Sequence, residues 1–347
     1  MAEDEEGADW RSVSTRSHDH ASLGQSLRRA REPDRGRQAS RPTQIPPRGW
    51  RDILWRVALA LPRDRVLATA GGVAFFTLLA VFPGMATIVS LYGLLSDPRV
   101  ISQHVGLLAG ILPAGVLVLL TDEMTRIAQK SSGTLSSASA ISLAIAVWSA
   151  NSGVSYLFDS LNVIYKEREK RTLFQFYCTT LLFTISGIIF VLGAIGIVVV
   201  LPVVLGGLGL GTAADAFLRV ARWPALLAVV GASLSLVYRY GPSRREAKWR
   251  WVTWGGSVAA LLWVITSVLF SWYVASFDSY NRTYGSLGAG VGFMTWMWLS
   301  IVIVLLGAEF NSELERQTAR DSTAGHAKPL GARDAYAADT VGPSQED

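Results

Sequence analysis

The sequence has little of what soluble folds and many enzymes depend on. Charged residues are 17% of its 347 residues, against about a quarter in a soluble domain. It has one cysteine, Cys178, so a disulfide within the chain is excluded. Two of its four histidines, His18 and His20, lie in a polar segment near the start, and neither H-E-x-x-H nor G-x-S-x-G occurs. We therefore expect no enzymatic activity, no catalytic or metal site and no cofactor.

Hydrophobic residues, in contrast, make up 50% of the chain, and its mean hydropathy is +0.31. The charges crowd into the two ends and a few short loops, which leaves long apolar runs between them. About 20 apolar residues are enough for a helix to cross a bilayer. The sequence therefore predicts an all-α integral membrane protein, a bundle of six transmembrane helices. The predicted spans are, approximately, residues 67–95, 135–160, 173–205, 223–240, 251–276 and 286–310.

The segments around these spans have their own patterns. The membrane domain is predicted to cover residues 50–317, while residues 1–46 and 318–347 are polar and are expected to be disordered cytoplasmic tails. Residues 50–65 carry apolar residues at helical spacing among arginines, which predicts an amphipathic helix in the membrane interface. Residues 105–120 are apolar but too short for a clear span, so we expect an outer amphipathic hairpin, either interfacial or re-entrant.

Basic residues in the loops predict the orientation of the chain. The loops after spans two and four each hold four of them, and the positive-inside rule places such loops in the cytoplasm. We therefore expect both termini in the cytoplasm and anionic lipid, rather than nucleic acid, as the partner of this face. The basic residues of the two loops are Lys166, Arg168, Lys170, Arg171, Arg244, Arg245, Lys248 and Arg250.

The second span carries polar residues along one helical face, although lipid offers them no partners. The residues on this face are Trp148, Asn151, Ser155, Asp159 and Asn162. Such a face is expected to look into a helix bundle or a water-filled cavity. Two interpretations stay open for Asp159: it is a proton or cation site, or it pairs with arginines and lysines of the basic loops.

Three further features concern helix shape and packing. Pro83 removes a backbone donor in the middle of span one and predicts a bend there. Gly288 and Gly292 form G-x-x-x-G, which lets another helix approach closely, either within the bundle or in a homo-oligomer. Arg168, Arg244, Arg245 and Glu309 are charges at the predicted cytoplasmic end. Glu309 ends span six, and we expect it to pair with the basic loops or, as a less favoured alternative, to take part in gating.

Several stretches together resemble the YihY/BrkB family of bacterial inner-membrane proteins, over roughly residues 50–317. These stretches are GGVAFFTLLAVFPG, WSANSGVSYLFDSLNVIYKEREKR, YRYGPSRREAKWRWVTWGGSVAALLW and FDSYNRTYGSLGAGVGFMTWMWLS with LLGAEFNSELERQ. The resemblance implies a six-helix inner-membrane protein whose relatives have carried the labels ribonuclease BN and virulence factor. Asn151 stands where the family tends to have the second serine of W-S-A-S-x-G.

Three functions are compatible with these patterns. The first is a transporter or flippase whose polar face in span two lines a cavity. The second is a non-transporting envelope scaffold that binds lipid or protein partners through its basic loops. The third, which the sequence favours least, is a membrane-associated ribonuclease. The substrate and the oligomeric state are left open by the sequence.

Overall fold

The computed structural model describes residues 23–95, 137–195, 212–276 and 286–346. Regular structure within these ranges is helical, apart from one isolated antiparallel bridge between Ala247 and Thr323. The all-helical fold class is thereby confirmed for the described part of the chain. The predicted hairpin at 105–120 lies outside the described residues.

Residues 23–29 are helical, and eight further α-helices follow along these ranges. They are α1 (Pro47–Arg63), α2 (Val66–Leu95), α3 (Ser137–Ile164), α4 (Leu173–Ile195), α5 (Thr212–Tyr240), α6 (Trp249–Ser276), α7 (Ser286–Glu315) and α8 (Tyr336–Asp339). A 3-10 turn, Pro42–Gln44, precedes α1. Helices α2 to α7 correspond in order to the six predicted spans, although α5 begins earlier than predicted and contains Pro224.

Three of the described helices are long and apolar enough to cross a membrane. Their apolar stretches are Leu173–Phe190 in α4, Trp249–Val274 in α6 and Gly290–Glu315 in α7. Shorter apolar stretches occur at Val66–Ala80 in α2 and Pro224–Tyr240 in α5. An all-helical protein with several membrane-crossing segments is consistent with these lengths.

Helix α1 begins with Pro47 in its first turn, where a missing backbone donor has no cost. It buries Ile53, Val57 and Ala60, which are spaced three or four residues apart and therefore share one face. It packs against α7 and α2. After its end at Arg63, Arg65 has a positive φ of 50°, and the chain turns into α2.

The long helices pack against one another, and α7 contacts α3 as well as α2 and α6. Helix α2 packs against α3 and α7, α7 against α6, α6 against α5, and α3 against α4. Glycines allow the closest approaches: a β-carbon on Gly256 would lie 2.6 Å from the Gly231 carbonyl oxygen, and one on Gly307 would lie 2.7 Å from Ala259 Cβ. A β-carbon on Gly292, in contrast, would meet no heavy atom of the described residues within 4 Å.

The large buried side chains gather at one end of the bundle, which we call the charged end. There α3, α5 and α7 terminate, α4 and α6 begin, and α1 docks. Fully buried aromatic residues at this end include Phe158, Tyr165, Tyr238 and Trp251. Buried arginines and glutamates lie beside them, so the charged end contains both the apolar core and many of the ion pairs.

The tails differ from the expectation of disorder. Residues 23–46 and 318–346 have defined positions and pack against the charged end and each other. The Thr318 hydroxyl donates to the Ala39 carbonyl oxygen at 2.6 Å, and the Val341 amide donates to Ser26 Oγ at 3.2 Å. A polar composition predicts disorder when a segment cannot bury apolar surface. Here the polar groups find hydrogen-bond partners on the bundle, which a composition argument does not count.

Candidate functional site

The polar face of α3 changes its environment along the helix. Trp148 is 77% exposed, Asn151 and Ser155 are half-buried, Asp159 is exposed and Asn162 is buried. The face therefore starts on the bundle surface and ends inside the charged end. The five predicted residues share one helical face, but the described residues do not enclose them in one common environment.

The middle of this face is held by few hydrogen bonds. Ser155 Oγ donates to the Asn151 carbonyl oxygen at 2.8 Å, within the same helix. Thr184 Oγ1 of α4 lies 3.3 Å from Asn151 Oδ1 and 2.8 Å from the Thr180 carbonyl oxygen. A hydroxyl has one proton to donate, so Thr184 bonds to only one of these acceptors at a time. Asn151 is therefore loosely tied to α4.

Asn162 has a different role, because it joins two loops. Its Oδ1 accepts a hydrogen bond from the Ser243 amide at 2.7 Å, and its Nδ2 donates to Glu169 Oε2 at 2.9 Å. Burial of Glu169 would raise the pKa of its carboxyl group. Hydrogen bonds from Arg171 and Asn162 nevertheless lower that pKa to about 2. Asn162 therefore serves the docking of the loops rather than a cavity.

The basic residues of the loop after α3 form ion pairs with acidic residues other than Asp159. Lys170 Nζ lies 2.6 Å from Asp334 and 3.3 Å from Glu167. Arg171 binds Glu169 at 2.7 Å and donates to the Gly241 carbonyl oxygen at 2.8 Å. Arg168 is exposed.

Arg244 is an internal residue and not a surface cation. Its side chain is fully buried, donates to Glu315 at 2.7 and 3.0 Å, and lies over the Tyr165 ring at 4.2 Å. Burial by itself would lower the pKa of Arg244, but the charge of Glu315 raises it above its ordinary value. Arg245 and Lys248, the neighbouring cations, donate to carbonyl oxygens of the C-terminal segment.

A second buried cluster joins α1 to the end of α7. Arg56 Nε binds Glu313 Oε2 at 2.6 Å, and Arg316 binds the other oxygen of Glu313 at 2.6 Å. Arg56 also donates to Gln317 Oε1 at 2.7 Å. These residues belong to no motif of the sequence. The sequence shows only that the last span ends in charged residues. It does not show that Glu313 and Gln317 bind Arg56, which lies more than 250 residues earlier in the chain.

Glu309 does not pair with the basic loops, contrary to the expectation. It is 1% exposed, and its nearest charged neighbours include Asp64 and Arg63 at the end of α1. Arg244, which belongs to one of these loops, binds Glu315. Pro83 and Gly288 lie in α2 and α7, but their side-chain surroundings are outside the described part.

Among the described residues, no group of three His, Cys, Asp or Glu residues is placed to hold a metal ion.

Similarity to known proteins agrees with this helical, membrane-type architecture. A family model described as Virulence factor BrkB matches residues 58–331. The chain belongs to the BrkB family. The match extends past residue 317, where the predicted resemblance ended, into the C-terminal segment that receives bonds from Arg245 and Lys248.

Individual relatives of this BrkB-family chain carry general names. The ribonuclease-like protein YfkH of Bacillus subtilis is 30% identical over 254 residues, covering 70% of this chain and 88% of the relative. A UPF0761 membrane protein of Vibrio parahaemolyticus is 28% identical over 258 residues, covering 74% and 80%. One from Pseudoalteromonas atlantica is 25% identical over 259 residues, covering 73% and 82%. No solved structure matches the chain.

Proposed function

We propose that this BrkB-family membrane protein is a transporter or flippase of the bacterial inner (plasma) membrane, with both termini in the cytoplasm. The solute or lipid would move along the polar face of α3. The observation that supports this most is the course of that face, from exposed Trp148 past Asn151 and Ser155 to the charged end. Polar side chains inside a bilayer are costly unless they face a partner or a water-filled path.

In this proposal the charged end closes one end of the transport path. Buried ion pairs of Arg56 with Glu313 and of Arg244 with Glu315 tie α1 and the loop after α5 to α7. Asn162 ties the end of α3 to the same loop. In alternating access, one end of a bundle is closed while the other admits the substrate. The charged end would then be the cytoplasmic gate.

The test is transport by the purified full-length protein in vesicles. We would follow translocation of fluorescent phosphatidylglycerol and phosphatidylethanolamine, and in parallel identify co-purified small molecules by native mass spectrometry for a solute-flux assay. Asn151→Leu and Asp159→Asn are expected to insert and fold normally but to abolish the flux.

Thr295→Val is the matched control, because Thr295 is an exposed polar residue of the membrane-crossing helix α7 and its hydroxyl bonds within that helix. It should keep the wild-type rate. Full flux in both polar-face variants would contradict the proposal.

A second candidate is a non-transporting scaffold that binds anionic lipid at the charged end. A specific observation favours it: exposed cations lie close in the chain to exposed apolar side chains, with Arg168 shortly before Leu173 and Phe174, and Arg250 directly after Trp249. This arrangement suits the headgroup region of a bilayer. Arg244 is not part of this surface, because it is buried.

The scaffold is tested by lipid retention. Arg168→Gln combined with Arg250→Gln should reduce retained phosphatidylglycerol in native mass spectra, while Asn151→Leu keeps it. Unchanged retention in the double variant would argue against this candidate.

We propose that the chain is not an enzyme and has no nucleic-acid partner. The name of the Bacillus relative contains the word ribonuclease, so purified protein should be incubated with RNA. Cleavage that persists through further purification and is lost on a point substitution would contradict this proposal.

A further inference from the structure

Three glutamates near the end of α7 are buried, but in the described part of the chain only two of them have a buried cation. Glu309, Glu313 and Glu315 are 1%, 2% and 0% exposed. Glu313 lies between Arg56 and Arg316, and Glu315 receives two bonds from Arg244. An ionised carboxylate in such surroundings needs a partner of this kind, because burial of an unpaired charge is very costly.

Glu309 has different neighbours. Its side chain lies beside the Asp64 carboxyl group, and its Oε1 has no hydrogen-bond partner among the described residues. Among the charged groups with the largest electrostatic influence on the Glu309 carboxyl, the only cation is Arg63, and its side chain is half exposed. The Arg63 guanidinium is already engaged with the two oxygens of Asp64, at 3.2 and 3.1 Å.

Two neighbouring carboxyl groups repel each other strongly when both are ionised, and a proton on one of them removes that repulsion. Asp64 has Arg63 as a counter-ion, whereas Glu309 is buried without one. The proton therefore belongs on Glu309, whose O–H can donate to the Asp64 carboxylate. We propose that Glu309 and Asp64 form a proton-binding site between α7 and the turn that joins α1 to α2.

The groups around this site come from three elements. Arg63 and Asp64 stand at the end of α1, Glu313 lies one helical turn further along α7, and the phenol of Tyr165 reaches the same region from the loop after α3. Loss of the proton would place two negative charges between α1 and α7, the helices that Arg56 joins. The proposal does not rest on a transported substrate, because it concerns the protein alone.

Infrared difference spectroscopy of the full-length protein in lipid nanodiscs tests the site. The C=O stretch of a protonated carboxylic acid is resolved from the carboxylate bands. Wild type should show this band at neutral pH and lose it on alkaline titration. Glu309→Gln, which keeps the size of the side chain, should lack the band. In Asp64→Asn the band should disappear at a lower pH than in wild type, since the neighbouring negative charge is gone.

Glu346→Gln is the control, because Glu346 is exposed and bound to Arg35. Its spectrum should match that of wild type. Absence of the band from wild type at neutral pH, or an unchanged band in Glu309→Gln, would overturn the proposal. If Glu309→Gln does not fold, Asp64→Asn decides: a titration midpoint identical to that of wild type would equally overturn it.

Discussion

The charged end and the opposite half of the bundle are built on different principles. At the charged end, polar groups are buried and paired, as in Arg244 with Glu315. In the opposite half, large apolar side chains face outward, and Trp272, Val268 and Ile189 are each more than 60% exposed. Lipid can cover an apolar side chain, but it offers no partner to an ion or an amide. Specific contacts therefore concentrate where the charges are.

The same contrast occurs within single helices. Helix α7 begins its described surface with the exposed residues Val291 and Met294 and ends with the buried Glu313 and Glu315. Helix α3 runs from exposed Trp148 to buried Asn162. One helix thus passes from surroundings with few protein contacts to surroundings with many, so substitutions at its two ends should have unequal effects.

The largest expected effect is at the buried ion pair. Arg244→Met would leave Glu315 buried without its cation, which should lower the free energy of unfolding by about 3–5 kcal/mol. Thermal unfolding of the purified protein measures this. The double variant Arg244→Met/Glu315→Met should recover much of the loss, and Lys170→Met, at an exposed pair, should lose little. If Arg244→Met lowered the free energy of unfolding only slightly, the charged end would not differ from the opposite half of the bundle in the way described.

A smaller loss is expected where helices touch through glycine. Gly256→Ala would place a methyl group 2.6 Å from the Gly231 carbonyl oxygen and against Ser235. Such overpacking costs about 1–3 kcal/mol. Gly292→Ala is the matched substitution at a glycine whose β-carbon would meet no heavy atom of the described residues within 4 Å. It should be neutral or slightly stabilising. Equal losses in the two variants, measured by thermal unfolding, would place the close helix contact elsewhere.

The loop carboxyl Glu169 should make stability depend on acid pH. Its folded pKa of about 2 lies below the ordinary value of 4.5, so it contributes stability above pH 4.5 that is lost as the pH falls towards 2. Between these values, the unfolding temperature of wild type should fall more than that of Glu169→Gln. The effect is modest because the side chain is partly exposed to solvent. Parallel curves for both proteins would contradict this assignment.

The smallest effect is expected in the opposite half. Val268→Ala removes two methyl groups from a side chain that is 64% exposed, and such surface changes usually alter stability by less than about 0.5 kcal/mol. The matched charged-end substitution is Val252→Ala, at a fully buried valine of the same helix, and it should cost more. A large loss at Val268 alone would indicate that another surface covers it.

Much of the secondary structure was predictable from the sequence, and most of the site contacts were not. The apolar runs placed α2 to α7, because a helix that crosses lipid must be apolar over a known length. The helix ends were predicted less accurately. Helices α3 and α7 continue past the predicted boundaries to Ile164 and Glu315, because the polar residues there bind to other buried groups. Trp148 and Asn162 share a helical face, but the sequence did not indicate that one is exposed and the other buried.

The sequence by itself determined that the chain is helical, that it carries membrane-crossing segments and which family it belongs to. The first two properties follow from local composition and short-range periodicity, and the family follows from the sequence stretches that resemble it. Only the tertiary structure decided that Arg244 is internal, that the tails near Arg37 and Thr318 pack together, and that Glu309 lies beside Asp64 rather than an arginine of the basic loops. Each of these contacts joins residues far apart in the chain, and a charged residue can satisfy its charge with any of several opposite partners. The choice among partners depends on how the helices pack.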